Sequence, residues 1–556
     1  MSKLIGIFSK KRSEINKFVN NDIKKDTIVS NKNLAIKIKG LKNETYFYKT
    51  YNDKGWISLG VGLTKKGGKF KIMDKDLWES AYLSGDLPVN GHFLFIKWDK
   101  NMMEICTDPL GIRDMYYYID NEKILFSTKM DFLANLIPNL HIDFKAIGGD
   151  YILGRKLIFK TEIEEIHRIG PDTSALFISD KIKSNRRNTF LNNDVSNNNI
   201  SKYFKSILSI TEDYNISLGL SGGVDSRILL SYLLRYYTNF TTHSFGSMQD
   251  KDNILANTMA NNIGFRNTLY SEYDKKDIIS NIRDFLSFNP FNLGIERIPF
   301  YYYFSELRKN NHILADGQFG EFMRKDPYRI LKPLDILFHI NRNIIFKLSK
   351  REIPPIFTPS IFSEMEKGAF DQVEIAISQY ITDYKRVIHF KDYITLLYDF
   401  PNLTGRDQSR IDEYCISIMP FAQTDLIKEL IYPHRKIINE NLIKTVYPQL
   451  SHYPFAKNNK YYPFNHYKNR FAKVREQLCN RKNEDSIYNF IYFTDNLKEY
   501  IFDELNSRKF KNNSILNKDF ITNSIVDFYK SNGEKNLNVL RYFLSFYMVP
   551  QINKLI

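Results

Sequence analysis

A short apolar run, two adjacent glycines and a helix-like stretch follow one another at Ile216-Ser217-Leu218-Gly219-Leu220-Ser221-Gly222-Gly223-Val224-Asp225-Ser226-Arg227. No other feature of the chain constrains its fold as strongly. The run ending near Gly219 reads as a short buried strand. The glycine pair reads as a tight turn, and residues 226–234 carry helical spacing. A second strand is expected at Thr241-Thr242-His243-Ser244-Phe245, feeding a helix from Asp252 to Ile263, and a third apolar run is His312-Ile313-Leu314-Ala315. Strand, helix, strand, helix predicts a parallel α/β sheet.

The turn is also where chemistry is expected. Glycines carry no Cβ, so backbone can approach an anion closely. Amides at a helix start point at such a ligand, and the helix dipole favours negative charge. Ser221 and Ser226 add hydroxyl donors. Asp225 is out of place beside a bare anion unless a cation sits between them, and Mg²⁺ bridging phosphate oxygens supplies that cation. A Walker A loop is excluded, because no GxxxxGK(S/T) occurs; the near miss at residues 62–69 lacks the final hydroxyl residue.

The rest of the chain has a different style. Residues 1–180 read as mostly β: apolar-rich segments such as residues 57–61, 92–98, 115–119 and 124–127 recur between Gly, Asp and Asn. Residues 181–200 are polar and Asn-rich, and read as a linker. From about Asp335 onward the chain reads as helical and aromatic-rich. The aromatic run Phe300-Tyr301-Tyr302-Tyr303-Phe304 reads as helix core and receives no site assignment.

Of the 556 residues, 79 are Lys or Arg and 63 are Asp or Glu, a net charge of +16. The basic residues are spread along the chain in short runs with no nucleic-acid-binding motif, so solvated basic faces are the expected reading and nucleic acid is not an expected partner. No run approaches the ~20 apolar residues of a membrane helix. The start Met1-Ser2-Lys3-Leu4-Ile5 turns charged too quickly for a signal peptide. Cys106, Cys415 and Cys479 lie too far apart for a CxxC zinc pattern or a dense disulfide framework. A cytoplasmic protein with no membrane partner is expected.

Ser221-Gly222-Gly223-Val224-Asp225-Ser226 resembles the SGGxDS pyrophosphate loop of ATP-pyrophosphatases, and the chain resembles the asparagine synthetase family along most of its length. Asp108-Pro109-Leu110-Gly111-Ile112-Arg113 followed by Tyr116-Tyr117 resembles that family's DPLGIKPLYY stretch. Asn90-Gly91-His92-Phe93 through Trp98-Asp99 resembles its NGxFAFxxWD segment. Ser244-Phe245-Gly246 with Asp252, Ala256, Ala260 and Gly264 resembles the second strand and helix of its synthetase domain. Met419-Pro420-Phe421 resembles its RxPF segment, and Lys460 before Pro463-Phe464 a late Lys-x-x-Phe element.

The resemblance implies an Ntn-hydrolase-like αββα sandwich over residues 1–180, a linker at 181–200, and a parallel-sheet ATP-pyrophosphatase domain with a helical extension over 201–556. It implies ATP and Mg²⁺ as cofactors. Ser221, Gly222, Gly223, Val224 and Ser226 would cradle pyrophosphate. Leu218, Gly219, Leu220, Ser244, Phe245 and Gly246 would border adenosine. Asp225 would hold Mg²⁺, and Lys460 would offer positive charge to the developing oxyanion or the pyrophosphate.

Two departures from the family pattern shape the functional expectation. The glutaminase nucleophile of Met-Cys-Gly-Ile-Phe is missing: Gly6-Ile7-Phe8 matches, but Ile5 stands where Cys belongs, and Ser2 is out of register. Ammonia release from glutamine is therefore not expected. The second departure is in the loop corresponding to GxGxDE, which here reads Asp316-Gly317-Gln318-Phe319-Gly320-Glu321-Phe322. Glu321 falls at the metal-holding Asp, and Asp316 is a second candidate carboxylate. Loss of the Cys is shared with β-lactam synthetases and lasso-peptide macrolactam cyclases, whose substrates carry their own amine. The expected activity is AMP-forming amide ligation on a peptide or small acid, with a precursor-peptide-processing protease as a possible partner. An ammonia- or glutamine-using asparagine synthetase and a catalytically inactive nucleotide- or partner-binding relative are the alternatives.

Overall fold

A computed structural model describes residues 3–20, 27–178, 181–189, 199–271, 282–283, 285–286, 298–320, 341–384, 390–431, 440–457, 460–464, 495–531 and 536–555. It is a mixed α/β protein with several sheets. In the first half the strands form two antiparallel sheets. One runs in the order His167–Arg168, Tyr116–Ile119, Lys123–Ser127, Lys3–Ser9, Leu34–Lys39, Thr27–Ser30. The other runs Lys181–Arg186, Thr173–Ile178, Met102–Thr107, Asn90–Trp98, Lys54–Lys66, Tyr46–Tyr51, with Lys69–Ile72 folded back on Lys54–Lys66.

Period-two alternation explains the stacking. Leu4 and Phe8 face a core shared with Ile57, Leu59, Leu94 and Ile96 of the other sheet. The intervening Ile5 and Ile7 face the opposite way, onto Ile15 and Phe18 of the helix Arg12–Asn20. On the far side of the second sheet, Trp56, Phe93 and Phe95 pack on Trp78 of the helix Lys75–Ser84. The layers therefore run helix, sheet, sheet, helix. Ile5, in the family's nucleophile position, is a buried core residue; Ser2 lies outside the described residues.

The linker expectation is corrected in part. Lys181–Arg186 is a strand, paired antiparallel with Thr173–Ile178 from Ile178↔Lys181 to Thr173↔Arg186. Its sequence, KIKSNR, has one apolar residue, because an edge strand needs to satisfy a neighbour on one side only. Residues 190–198 lie outside the described residues. Asn199 then caps the helix Ile200–Ile207 by accepting the Ser201 amide.

Beyond it stands a five-stranded parallel sheet ordered Asn267–Tyr270, Phe240–Phe245, Ile216–Gly219, Ile313–Ala315, Ser417–Ile418. The chain first builds outward from Ile216–Gly219 in one direction and then in the other. The reversal point lies at the carboxyl ends of Ile216–Gly219 and Ile313–Ala315, the usual ligand position in open parallel sheets.

Besides the cores enclosed by the antiparallel sheets, the two halves share one further core. Leu110, Ile112, Ile147 and Leu157 belong to one cluster with the parallel sheet and with the later helices as far as Ile552. The helix Phe144–Gly148 crosses Pro359–Gln379 at glycines: a Cβ on Gly148 would lie 2.0 Å from the Met365 carbonyl, and one on Gly368 would lie 2.3 Å from Lys145 Cα. The aromatic run near residue 300 lies in the helix Ile298–Lys309, where Tyr303 and Phe304 are buried. No helix among the described residues is long and apolar enough to cross a membrane.

Candidate functional site

The loop Ser221–Gly223 leaves the central parallel strand and enters the helix Val224–Tyr236, with Gly223 as its N-cap. Gly223 makes no side-chain cap, and Asp225 sits in the first turn. An N-terminus without a side-chain cap leaves amides for another acceptor. The two serines order the loop. Ser226 Oγ accepts the Ser221 amide at 3.2 Å and lies 3.1 Å from Ser221 Oγ, which in turn accepts the Gly223 amide at 3.2 Å.

Two residues that the sequence did not assign complete the loop. Asp252, in the helix Lys251–Ile263, accepts the Gly222 amide at 2.7 Å. Arg227 is buried and clamps a distant segment over the loop: it donates to the carbonyls of Tyr453 at 2.9 Å, Pro454 at 2.8 Å and Gly222 at 3.2 Å. Its guanidinium also lies 4.4 Å from the Phe455 ring centroid. The Ala456 amide donates to the Gly222 carbonyl at 3.0 Å. Gly222 has to be glycine here, since a Cβ would fall 2.4 Å from Ala456 Cβ. Asp252 had a sequence signal, its place at the start of the second helix; Arg227 was legible only as the residue after the motif.

The second loop faces the first. A Cβ on Gly320 would come 2.3 Å from Asp225 Cγ, and one on Gly317 would come 2.9 Å from the Ser226 amide nitrogen. Asp316 caps its own turn by accepting the Gln318 amide at 2.9 Å. Burial pushes its carboxyl up to about 7, with the Asp407 carboxylate adding to the effect. Phe319 holds a positive φ of 69° and packs edge-on to Phe400 at 4.3 Å. Glu321 lies outside the described residues.

Across the strand ends, Gly219 lies between the neighbouring strands: a Cβ there would be in van der Waals contact, at 3.5 Å, with both Asp316 Cβ and His243 Nε2. His243 is pushed down to about 3 by burial, so it is neutral at pH 7, and its Nδ1 lies 2.7 Å from Ser217 Oγ. Leu218 and Val224 are core residues. The Leu220 amide donates to the His243 carbonyl at 2.8 Å, and Ser244 Oγ donates to the Leu220 carbonyl at 2.9 Å. Phe245 stacks on Tyr303 at 5.2 Å, and Gly246 turns the chain at φ +104°. Lys460 is exposed on the hairpin Phe455–Lys457/Lys460–Tyr462, whose first strand carries Ala456 onto the loop.

Mg²⁺ is commonly held by one or two carboxylates together with phosphate oxygens and water. Asp225, in the first turn of the helix, and Asp252, whose carboxylate meets the Gly222 amide, are the two carboxylates at the loop that suit that mode. Among the described residues, the group of three potential ligands close together is elsewhere, the exposed His141, Glu164 and Glu165.

The other matched stretch, residues 108–113, is a docking loop. Asp108 accepts the amides of Leu110 at 3.0 Å, Ile112 at 3.1 Å and Arg113 at 3.0 Å. Arg113 then reaches Asp412 at 3.3 Å, as does His92 at 3.1 Å. Gln408 at 3.0 Å and Ser417 at 2.7 Å complete the Asp412 shell, all of it buried. Gly91 and Asn90 bond to Gln423 and Asp425 beside it.

No family model matches the chain, and no curated protein does. Among solved structures it is similar to an allosteric regulatory enzyme of purine biosynthesis, at 10% identity over 48% of this chain and 74% of the other, with a TM-score of 0.20. It is also similar to glutamine phosphoribosylpyrophosphate amidotransferase from B. subtilis, solved with ADP and GMP. That match has 12% identity over 50% of this chain and 61% of the other, with a TM-score of 0.19. Neither TM-score establishes a shared fold over these lengths.

Proposed function

We propose that the chain is an ATP-dependent, AMP-forming carbon–nitrogen ligase without glutaminase activity, acting on a peptide or small carboxylic acid that meets an amine. In this reading the first half is a degenerate Ntn-hydrolase-like sandwich and the second an ATP-pyrophosphatase-type domain. The observation that carries it is the Ser-Gly-Gly turn into a helix with no side-chain cap, at the reversal point of a parallel sheet, with Asp225 in the first turn.

The substrate carboxylate attacks the α-phosphorus of ATP, the bond to pyrophosphate breaks, and the amine then displaces AMP to leave an amide. Gly222, Gly223 and the first-turn amides receive the departing pyrophosphate, and Ser221 and Ser226 hold the turn in shape. Asp225 and Asp252 would hold Mg²⁺, which neutralises charge on the leaving group. Arg227 positions the 453–456 segment rather than touching substrate. A macrolactam or isopeptide product follows where the amine belongs to the same peptide.

One observation favours a second reading, a nucleotide- or partner-binding relative that performs no ligation. The Gly222 amide is already taken by Asp252 and the Gly223 amide by Ser221, so pyrophosphate has to displace them. Exchange of labelled pyrophosphate into ATP, over a panel of peptides and carboxylic acids, separates the two. The ligase gives Mg²⁺-dependent exchange with an acid present; ATP binding without exchange for any acid supports the second reading.

A further inference from the structure

The second antiparallel sheet ends at the strand Tyr46–Tyr51, and no strand pairs with its outer edge among the described residues. The Gly60 amide donates to the Thr45 carbonyl at 2.9 Å. Those two residues stand opposite each other, one step beyond the pair Tyr46↔Leu59. Ladder bonds between antiparallel strands alternate. Phe47, Lys49 and Tyr51 therefore bond inward, and the amides and carbonyls of Tyr46, Tyr48 and Thr50 point outward. The Tyr46 carbonyl is taken by the Asn43 amide at 3.2 Å. Tyr48 and Thr50 are left, each with one donor and one acceptor on the edge.

A groove of about 230 Å³ runs along this edge, lined from both faces of the strand. Tyr48 packs on the core between the two sheets, and Phe47 on the core beneath the helix Lys75–Ser84. No Asp or Glu lines the groove, but three lysines do. Lys49 is paired with Glu79. Lys42 and Lys75 are exposed, and neither makes an ion pair among the described residues. Lys42 Nζ lies 5.8 Å from the Tyr48 ring centroid, and Lys75 opens the helix on the opposite face. A lysine within an edge strand usually guards it against pairing. Here the lysine within the strand is Lys49, which is drawn aside onto Glu79, while the other two flank the groove.

We propose that this edge is a docking site for an extended acidic peptide, which adds to the sheet as a further strand beside Tyr46–Tyr51. Its backbone pairs with the amides and carbonyls of Tyr48 and Thr50. Side chains of a strand alternate between faces, and a lysine waits on each face. The peptide it takes therefore carries two acidic residues in succession, one for Lys42 and one for Lys75. The site is separate from the Ser221–Ser226 loop and does not depend on the ligase reading.

The test is fluorescence anisotropy of the full chain with a labelled, end-blocked hexapeptide, Thr-Val-Glu-Glu-Val-Thr, and with its Lys-Lys counterpart. The acidic peptide is expected to bind about tenfold more tightly than the basic one. The double variant Lys42→Glu with Lys75→Glu is expected to abolish or reverse that preference. Two N-methylated forms of the acidic peptide, one at its odd and one at its even amides, test the pairing with the wild-type chain. One form is expected to lose at least about tenfold in affinity and the other to keep it, because only alternate amides face the sheet. No binding of the acidic peptide, equal binding of the acidic and basic ones, a preference unchanged in the double variant, or equal affinity of the two methylated forms would each overturn the proposal. So would displacement of the peptide by single-stranded oligothymidylate at lower concentration than by unlabelled peptide.

Discussion

The loops at 108–113 and 221–226 are built alike and end up doing opposite work. Each has an aspartate, a glycine-bearing turn and backbone amides gathered over a few residues. In the first, Asp108 takes three of its own loop's amides and is buried, and Arg113 is spent on Asp412. The loop is closed and joins the two halves. In the second, the helix begins at a glycine with no side-chain cap, and a second glycine loop lies against Asp225. The amides of the second loop are also taken, but by three different side chains, Ser226, Asp252 and Ser221, rather than by one buried carboxylate; a motif's chemistry depends on what holds its amides, and residue identity alone does not reveal that.

The largest expected effect breaks the closed loop. Asp412→Ala strips the partner from buried Arg113 and His92, and should cost about 3–5 kcal/mol, read as a lower denaturation midpoint. An unchanged midpoint would mean that the 108–113 loop is not a dock. On the second loop, Asp225→Ala should lower Mg²⁺-dependent ATP–pyrophosphate exchange by roughly 10²-fold or more while the midpoint stays close to wild type. A large loss of stability instead would make Asp225 another closed-loop aspartate.

A smaller effect is expected at Gly222. Gly222→Ala drives a methyl into Ala456 and should cost about 1–3 kcal/mol. Hydrogen exchange at the Ala456 amide, which bonds the Gly222 carbonyl, should speed up. Unchanged protection would show that the 453–456 segment is not held by the loop.

The smallest effect is a pH dependence. Burial pushes Asp108 up to about 6, although three amides pull the other way; unfolded, it titrates near about 3.9. The folded state therefore holds the proton more tightly. The stability Asp108 contributes is complete below about pH 4 and is lost as pH rises through about 6. Compared with Asp108→Asn, the wild type should lose ground across that window. A constant difference between the two would contradict it.

Much of the parallel sheet was legible, because each strand–turn–helix is local: the strand at Ile216–Gly219, the helix from Val224, and the pair Phe240–Phe245 and Lys251–Ile263 all follow from short-range pattern. The strands of residues 57–61 and 92–98 were equally visible as apolar runs. Ser417–Ile418 was not, since two residues carry no periodicity and its place is set by pairing with Ile313–Ala315. Lys181–Arg186 looked like linker because its outer positions face water. At the candidate site, Ser221 to Ser226 stood out by spacing. The contacts of Asp252 and Arg227 did not, because they depend on which helix and which distant segment fold over the turn. The bond from Arg113 to Asp412 spans 299 residues and leaves no local trace.

The central claim is that the Ser221–Ser226 loop is an anion site, served by a cation at Asp225, where phosphate oxygens displace Asp252 and Ser221 from the loop amides. Calorimetric titration of ATP, with and without Mg²⁺, on the wild type and on Asp225→Ala tests it most directly. The account predicts binding that requires both Mg²⁺ and Asp225. ATP binding that survives unchanged in Asp225→Ala, or no binding to the wild type with Mg²⁺ present, would contradict it.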